Sequence, residues 1–262
     1  MAVADDTRVN AVEWTPDQVL EQSRRWRSSW HPPGSEHIVL GPHEFYLQDG
    51  EATLLNYHGP PGDPMDLLDD AGAAAGRLGA SSMRLTVGPG VFADADADEL
   101  RRRDATTVAV IDIVALDLSQ SSTLDPDIDA VTTTRVGGRD MLGIFENVSH
   151  RAWGFAPPVL ADLDSTPKAD WPGMFLGSHR GRPAGAGGYA LVDGVARLWG
   201  AAVLPEFRGH GVYRALVAVR VDDARSRGAT LAIVHAEQTS SPIQRRLGFR
   251  KYGERRLTRL PV

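Results

Sequence analysis

An apolar stretch, a loop with two glycines and an amphipathic stretch follow one another at Val203–Leu216, VLPEFRGHGVYRAL. The strand-like segment VARLWGAAV comes before the loop, and apolar residues at i, i+3, i+4 and i+7 follow it up to Gly228, as in a helix. A strand that leads into a helix over so short a loop favours folds in which helices pack against a sheet. The segment therefore predicts an α/β protein.

The loop itself has the composition of an anion site. Backbone N–H groups in the first turn of a helix lack partners within the helix, and the helix dipole adds partial positive charge there. Gly209 and Gly211 carry no side chain that would keep a ligand from the backbone, and Arg208 can add a charge-assisted hydrogen bond. The loop predicts a site for a phosphate or a diphosphate.

Two other phosphate-binding patterns do not fit the chain. A Walker loop needs a Gly-Lys-Ser/Thr ending, which does not occur. The letters of a dinucleotide fingerprint do occur in GAGGYA, Gly185–Ala190, but a turn and a strand follow them instead of a helix. We interpret this segment as a strand of small residues.

Composition and charge exclude several classes of protein. The chain has no cysteine, so disulfides, thiolate metal sites and a cysteine nucleophile are excluded, and no metal is expected. A net charge of −6, with a single basic run at Arg101–Arg103 next to an acidic one, argues against nucleic acid as a partner. Without a membrane-spanning stretch or a signal pattern, we expect a cytoplasmic protein with no membrane partner.

The chain divides into two halves with a similar order of elements. AGRLGASSMRLTV followed by ADELRRRDATTVAVI resembles ARSRGATLAIVHA followed by SPIQRRLGFRKYGERRL. Each is a helix that ends at Gly-Ala, a strand, a helix with paired arginines and a final strand. We predict domains at residues 1–120 and 127–262, joined by a polar linker at residues 121–126.

Turn signals predict further boundaries. Thr15-Pro16-Asp17 predicts the start of a helix that runs to about Trp30, where HPPG ends it. Asp49-Gly50 and Asp193-Gly194 each predict a hairpin between two strands. The segment GRDMLGIFENVSHRAW predicts a helix.

The segment VLPEFRGHG resembles the motif Val-x-Pro-x-x-Arg-Gly-x-Gly of the GNAT acyltransferase superfamily. A second GNAT-like element, a strand and a short helix that ends in RRLGF at Arg245–Phe249, follows at the family's spacing. The resemblance implies two GNAT-like domains, each with a mixed, mostly antiparallel central sheet flanked by helices. It also implies acetyl-CoA as co-substrate and transfer of the acetyl group to a primary amine of a small molecule or peptide.

The resemblance also assigns residues to the coenzyme site. The diphosphate would be bound by the loop and the helix start, namely Arg208, Gly209, His210, Gly211, Val212 and Tyr213. The backbone of Val203 and Leu204 would pair with the pantetheine arm like an added strand. Gln244, also assigned to this site, stands where the family often has a tyrosine acid, and Tyr213 stands where it usually has Gly or Ala.

The first half lacks this loop. Its corresponding segment, YHGPPGDPMDLL, has no arginine before the glycine, and Pro60, Pro61 and Pro64 each remove an amide donor. Asp63 would repel a phosphate. The first half therefore resembles a degenerate GNAT domain, and we expect a single coenzyme site per chain.

Acetyl transfer requires that the amine lose a proton before it attacks, because a free alkyl ammonium titrates at about 10. The strand VARLWGAAV, where many relatives carry a glutamate base, has no acidic residue. Glu237 is the predicted base, with His235 on the same face of its strand and able to act with it through one water. A backbone N–H near Leu204 would stabilise the oxyanion, and Tyr213 or Tyr252 would protonate the thiolate.

Several alternatives stay open at this point. Positioning alone can catalyse the transfer while solvent carries the protons. The chain can also be a binding or regulatory protein that has lost turnover, or an acyltransferase for another acyl-CoA or a hydroxyl acceptor. Trp153, Phe155, Trp171 and Trp199 line an acceptor pocket or belong to the core. The resemblance allows a homodimer, and no motif identifies the acceptor.

Overall fold

The computed structural model describes residues 13–90, 92, 97–119, 124, 128–158 and 173–262. The helices in these ranges are α1 (Pro16–Arg24), α2 (Pro64–Arg77), α3 (Ala97–Arg102), α4 (Gly138–Trp153), α5 (Val212–Ser226) and α6 (Ser241–Arg246). A 3-10 turn, Pro205–Phe207, lies just before α5. None of the helices in this part of the chain is long and apolar enough to cross a membrane.

The strands of the described ranges form one sheet of eleven. They are β1 (Glu36–Leu40), β2 (His43–Gln48), β3 (Glu51–Tyr57), β4 (Ser82–Val87), β5 (Thr106–Asp117), β6 (Val131–Arg135), β7 (Gly173–His179), β8 (Arg182–Val192), β9 (Val195–Val203), β10 (Leu231–Glu237) and β11 (Arg250–Pro261). Their order is β1-β2-β3-β4-β11-β5-β10-β9-β8-β7-β6, and neighbours are antiparallel except for the pairs β3–β4 and β9–β10. The predicted mixed, mostly antiparallel sheet flanked by helices is confirmed.

The last strand of each half pairs with the other half. Strand β5 pairs with β10 along Ile111–Asp117, and β11 pairs with β4 along Arg256–Pro261. Strands β5 and β11 also pair with each other at the centre of the sheet. The two halves therefore share one sheet. The predicted linker at residues 121–126 lies almost entirely outside the described residues, so the domain boundary stays a prediction.

The turn signals locate most of the predicted boundaries. Both hairpin turns have positive φ at their two central residues, as tight hairpins require, and α4 spans the predicted segment. Thr15 caps α1 in a capping box with Gln18, but α1 ends at Arg24, earlier than predicted. Two residues after the helix end, Trp26 stacks on the ring of His235, with 4.4 Å between centroids.

Small residues of β8 allow α5 to lie close against the sheet. A Cβ on Gly185 would lie 2.9 Å from the Val212 side chain, and one on Gly187 would lie 3.3 Å from the guanidinium of Arg220. Arg220 is buried and donates to the carbonyls of Gly188 and Leu216, at 3.1 and 2.7 Å. GAGGYA is therefore part of a strand, as interpreted, and the bond from Arg220 to Gly188 links α5 to β8.

The helices of the second half lie on two faces of the sheet. On β9, Val195 packs with Val19 of α1, and Trp199, which points to the same face, contacts Phe145 of α4 with 6.2 Å between ring centroids. Helix α5 lies on the opposite face, where Asp223 accepts a hydrogen bond from the hydroxyl of Tyr189 on β8. The loop before α5 therefore passes from one face of the sheet to the other at the end of β9.

Candidate functional site

The loop between β9 and α5 has a backbone conformation that requires its two glycines. Gly209 has φ +81° and Gly211 has φ +82°, values that other residues rarely adopt. A Cβ on Gly209 would meet open space, whereas one on Gly211 would lie 2.5 Å from the side chain of Ile128. Because the N-cap of α5 is Gly211, no side chain caps the helix, and the N–H groups of its first turn can bind an anion.

Strands β9 and β10 separate beside this loop. They pair over Val195–Arg197 and Leu231–Ile233 only. Farther along, β9 stays paired with β8 up to Val203, and β10 stays paired with β5 up to Glu237. We call the gap between β9 after Arg197 and β10 after Ile233 the strand opening. Its facing strand edges can accept an extended ligand as an added strand.

At the end of β9, some backbone groups bond to β8 and others face the strand opening. The Leu204 N–H donates to the Ala184 carbonyl at 2.9 Å, so this amide is already bonded and cannot be the predicted oxyanion donor. Successive residues of an antiparallel strand direct their N–H groups to opposite sides. The Val203 N–H therefore points away from β8 toward the strand opening, and the Val203 carbonyl accepts a bond of 3.4 Å from Nε of Arg208.

Two predicted site residues, Tyr213 and Gln244, contact each other. Gln244 of α6 is buried, and its Nε2 donates to the Tyr213 hydroxyl at 2.8 Å. The hydroxyl accepts this bond and keeps its own proton for donation. A tyrosine hydroxyl is thus held beside the position that the GNAT resemblance assigns to a tyrosine acid.

Two basic residues that sequence analysis missed lie beside the loop. The ring of His179 on β7 lies 4.6 Å from the ring of His210, and the guanidinium of Arg182 on β8 lies 5.1 Å from the centroid of Phe207. Desolvation, followed by the charges of His210 and Arg180, lowers the pKa of His179. These positions depend on the pairing of β7 with β8 and of β8 with β9, of which Asp193-Gly194 signals only the second.

His235 has a different environment from the one predicted. Its Nε2 lies 2.8 Å from Oγ of Ser23, and its Nδ1 lies 3.0 Å from the guanidinium of Arg255. Burial, followed by the charges of Arg255 and Arg197, lowers the pKa of the ring well below its usual range. Both ring nitrogens are engaged away from Glu237, which is exposed at the end of β10. The arrangement disfavours the predicted relay between His235 and Glu237 through one water.

Glu146 is a carboxylate that sequence analysis did not single out. It is partly buried on α4, and burial raises its pKa, against an opposing effect of His150. One carboxylate oxygen lies 3.9 Å from Nε2 of His150, whose Nδ1 bonds the carbonyl of Ala156 at 2.6 Å. A carboxyl group with a raised pKa suits proton transfer to or from a substrate. The only local sequence signal for a role of Glu146 is its position at the edge of the apolar face of the amphipathic helix α4.

A cavity of 660 Å³ lies between α4, the start of β8 and the turn before α5. Its apolar lining includes Val148, Leu204 and Phe207, and the ion pair between Arg151 and Glu206, at 3.0 Å, lies at its wall. The lining residue Leu204 directly follows β9. The cavity is therefore adjacent to the loop between β9 and α5, on the α4 face of the sheet.

The predicted aromatic pocket is dispersed in the structure. Trp199 packs on Phe145, whereas Phe155 contacts Trp30 of the first half, with 6.2 Å between ring centroids. Trp153 is exposed, and Trp171 lies outside the described residues. The aromatic residues that the structure describes therefore do not line one common pocket.

In the first half, the start of α2 is capped. The Asp63 carboxylate accepts from the N–H groups of Met65 and Asp66, at 2.8 and 3.4 Å. Pro64 occupies the first helical position and has no N–H group. The amides that correspond to the open ones at the start of α5 are thus bonded within the chain at α2.

The first half also holds a fully bonded buried carboxylate. Glu44 accepts hydrogen bonds from Asn56 at 2.7 Å, and its oxygens lie 2.9 Å from His37 and 3.1 Å from His58. Burial alone would raise the pKa of Glu44, but bonds from Ser29 and these three residues lower it to about 2. Among the residues that the structure describes, no group of three His, Asp or Glu side chains is placed to hold a metal ion.

Residues 145–249 match the Acetyltransferase (GNAT) family. The matched range begins within α4, contains the glycine loop and the strand opening, and ends just before β11. No curated protein sequence matches the chain significantly. The second half of the chain therefore contains a GNAT family domain.

Solved structures share the fold over most of the chain. A GCN5-related N-acetyltransferase from Kribbella flavida is 21% identical with a TM-score of 0.58, over 87% of this chain and 90% of that chain. A GCN5-related N-acetyltransferase from Sphaerobacter thermophilus is 17% identical with a TM-score of 0.64, over 83% of this chain and 75% of that chain. A tandem GNAT protein from the clavulanic acid biosynthesis pathway is 16% identical with a TM-score of 0.63, over 88% of this chain and 84% of that chain. The chain thus has a fold that a tandem GNAT protein shares.

Proposed function

We propose that the chain is an N-acetyltransferase that transfers the acetyl group of acetyl-CoA to a primary amine of a small molecule or peptide. The observation that carries the proposal is the strand opening next to an uncapped helix start. Acetyl-CoA needs a free strand edge for its pantetheine amides and a row of N–H groups for its diphosphate. The GNAT match of residues 145–249 and the shared fold support acyl transfer.

In this proposal the coenzyme follows the end of β9 and the start of α5. The diphosphate binds the N–H groups of the loop and of the first helical turn, with Arg208, His210 and His179 at its side. The pantetheine arm pairs with the outward-facing backbone of Val203. Gly209 and Gly211 are required because their φ values are positive, and Gly211 also because a side chain would meet Ile128.

The reaction joins the amine nitrogen to the thioester carbonyl carbon and breaks the carbon–sulfur bond. The Val203 N–H, which points toward the strand opening, stabilises the negative charge on the carbonyl oxygen. The Tyr213 hydroxyl, held by Gln244 at 2.8 Å, gives its proton to the departing thiolate. Glu146 or Glu237, directly or through water, takes the proton that the amine loses.

The two carboxylates can be separated by their pH dependence. Because burial raises the pKa of Glu146, a base at this position loses its proton at a higher pH than an exposed glutamate does. If Glu146 is the base, Glu146→Gln removes the acid limb of the kcat/KM profile, and Glu237→Gln leaves that limb in place. The opposite pattern would assign the base to Glu237.

A second candidate function is acyl-CoA binding without rapid turnover. It is favoured by His235, whose ring is covered by Trp26 and bonded at both nitrogens, so that it does not serve as a base. Titration of the full chain with acetyl-CoA, combined with thioester consumption over a panel of amines, separates the two. Binding with turnover supports the enzyme, binding with no productive amine supports the second candidate, and absence of binding rejects both. Repeating the assay with longer acyl-CoAs and with alcohols tests the donor and acceptor types.

A further inference from the structure

Among the described residues, the largest fully buried side chain is that of Arg220 on α5. Its Nε donates to the Leu216 carbonyl at 2.7 Å, so the side chain runs back along α5 toward the start of the helix. Its Nη1 donates to the carbonyls of Gly188 on β8, at 3.1 Å, and of Trp199 on β9, at 3.3 Å. The guanidinium is therefore held between α5 and the paired strands β8 and β9.

The guanidinium lies against a bulge in β9. Two residues of β9, Gly200 and Ala201, face the single residue Gly187 of β8, and Gly200 has φ +63°. A Cβ on Gly187 would lie 3.3 Å from the guanidinium carbon of Arg220 and 3.2 Å from Cα of Ala201. Because β9 after Arg197 is one edge of the strand opening, the bulge and the guanidinium lie beside that opening.

The positive charge of Arg220 has no counter-charge in the described part of the chain. Arg220 forms no ion pair there, and its Nη2 is buried without a hydrogen-bond partner. Burial lowers the pKa of Arg220 to about 10, so the guanidinium keeps its proton at neutral pH. A buried cation without a counter-charge costs stability that a neutral side chain would not cost. Packing alone therefore does not account for a charged residue at this position.

Among the groups that the structure describes, the one titratable side chain that acts on the Arg220 charge is Tyr213. Burial has the larger effect on the pKa of Arg220, and the charge of Tyr213 raises it. The two residues are seven positions apart on α5, hence on one face of the helix, and the Arg220 side chain runs back toward Tyr213. Because the attraction between two charges is mutual, Arg220 stabilises a negative charge on the Tyr213 oxygen.

We propose that Arg220 is a positioning residue for the proton transfer: its buried positive charge stabilises the phenolate that Tyr213 becomes when it protonates the departing thiolate of CoA. In this step the O–H bond of Tyr213 breaks and an S–H bond forms on CoA. The phenolate keeps the electron pair until water returns the proton. Gln244 supplies a hydrogen bond to the oxygen at 2.8 Å, and Arg220 supplies the charge. This inference rests on the proposed function, since it concerns the acid of the acetyl transfer.

The test separates the charge of Arg220 from its hydrogen bonds. Arg220→Lys keeps the charge, whereas Arg220→Gln keeps a donor for the carbonyls and removes the charge. Full-length protein is assayed with saturating acetyl-CoA and the amine of highest turnover, and thiol release is measured in the steady state and in single turnovers. We expect Arg220→Gln to lower kcat at least about tenfold while KM for acetyl-CoA stays within about twofold. Arg220→Lys should restore most of kcat.

A double-mutant cycle shows whether the charge acts through Tyr213. Tyr213→Phe removes the acid, so adding Arg220→Gln to it should change kcat by less than about twofold. Arg246→Gln removes an exposed arginine of α6 and is the matched control, which should keep the kcat of the natural chain. Thermal unfolding is recorded for every variant. If Arg220→Gln does not fold, Arg220→Met replaces it, because methionine buries no polar donor.

The outcomes separate this inference from the proposed function. Equal losses of kcat in Arg220→Lys and Arg220→Gln would mean that the hydrogen bonds of the guanidinium matter and not its charge, and would overturn the inference. An equal cost of Arg220→Gln in the natural chain and in Tyr213→Phe would overturn it as well. Either result leaves the acetyltransferase in place. Absence of turnover by the natural chain with every amine rejects the proposed function, and the inference with it.

Discussion

The helices α2 and α5 begin in corresponding places of the two halves, but they satisfy their first N–H groups in different ways. Each follows a strand that pairs in parallel with the next strand of its half, over Glu51–Thr53 in one case and Val195–Arg197 in the other. At α2 a carboxylate of the chain bonds the free amides, whereas at α5 a glycine leaves them open. One scaffold thus gives a helix start whose amides are capped or left open, according to the residue at the N-cap.

A second contrast concerns buried charge. Glu44 in the first half is a buried carboxylate with four hydrogen-bonding partners, and it stabilises the fold. Arg197 in the second half is a buried guanidinium that has no partner among the described residues. An unpaired buried charge opposes folding, so Arg197 reduces stability where Glu44 adds to it. The comparison supports a structural role for Glu44.

The largest expected effect comes from making α5 resemble α2. Gly211→Asp would add a negative charge and a side chain at the N-cap of α5, next to the open amides, and should weaken acetyl-CoA binding at least about 100-fold. Gly211→Ala separates the clash with Ile128 from the charge. Gly209→Ala, which adds a side chain in open space, should cost at most about tenfold through strain alone. Calorimetric titration measures all three, and full affinity in Gly211→Asp would refute the site.

The buried carboxylate of the first half gives the next largest effect. Because hydrogen bonds lower the pKa of Glu44 from 4.5 to about 2, its stabilisation is present above pH 4.5 and is lost as pH falls toward 2. Glu44→Gln should reduce the free energy of unfolding by about 2–3 kcal/mol at pH 7 and flatten its decline in acid. Denaturant unfolding between pH 2 and 7 measures this, with exposed Glu36→Gln as the control. An unchanged acid decline in Glu44→Gln would contradict the structural role.

Arg208 should have a smaller effect because it is exposed. Arg208→Ala removes one charge-assisted bond to the diphosphate and should weaken acetyl-CoA binding about tenfold. The loss should shrink as salt is raised, since exposed charges are screened. Arg250→Ala, an exposed arginine on β11, is the control. Equal losses in both variants would mean that only the net charge of the protein matters.

The smallest effect, on the free energy of unfolding, is expected at α2, the helix whose start is capped. Asp63→Ala removes the cap of α2 and should lower the free energy of unfolding by about 1 kcal/mol. Asp66→Ala, which removes a charge from the same turn but no cap, should cost less. Neither variant should create a second acetyl-CoA site, because Pro64 still lacks an N–H group. A second site in Asp63→Ala would show that the first half differs from the second by one residue only.

The sequence predicts the parts of this molecule that depend on neighbouring residues. The two glycines, the hairpin turns and the helix α4 follow from local backbone preferences and periodicity, and the structure has them where they are expected. The contact between Tyr213 and Gln244 joins two helices, yet the motif spacing placed both residues in one site.

Features that depend on long-range pairing could not be predicted in this way. The position of β11 between β4 and β5 results from competition between strand edges far apart in the chain, so the sequence suggested separate sheets. His235 and Glu237 both lie on β10, two residues apart, as the prediction of a shared face requires. The burial of His235 under Trp26, however, depends on α1, more than 200 residues away in sequence. Glu146 and His179 likewise acquire their surroundings only when α4 packs on β8 and β9 and when β7 pairs with β8.

The most direct test of the comparison is a calorimetric titration of the full chain with acetyl-CoA, performed in parallel on Gly211→Asp. We predict one binding site per chain in the natural protein and none in the variant, with Gly211→Ala measured in parallel to account for the backbone strain and the clash with Ile128. Two sites in the natural protein would show that the capped start of α2 does not exclude the coenzyme. Absence of binding to the natural protein, or unchanged binding to the variant, would contradict the assignment of the α5 loop as the acetyl-CoA site.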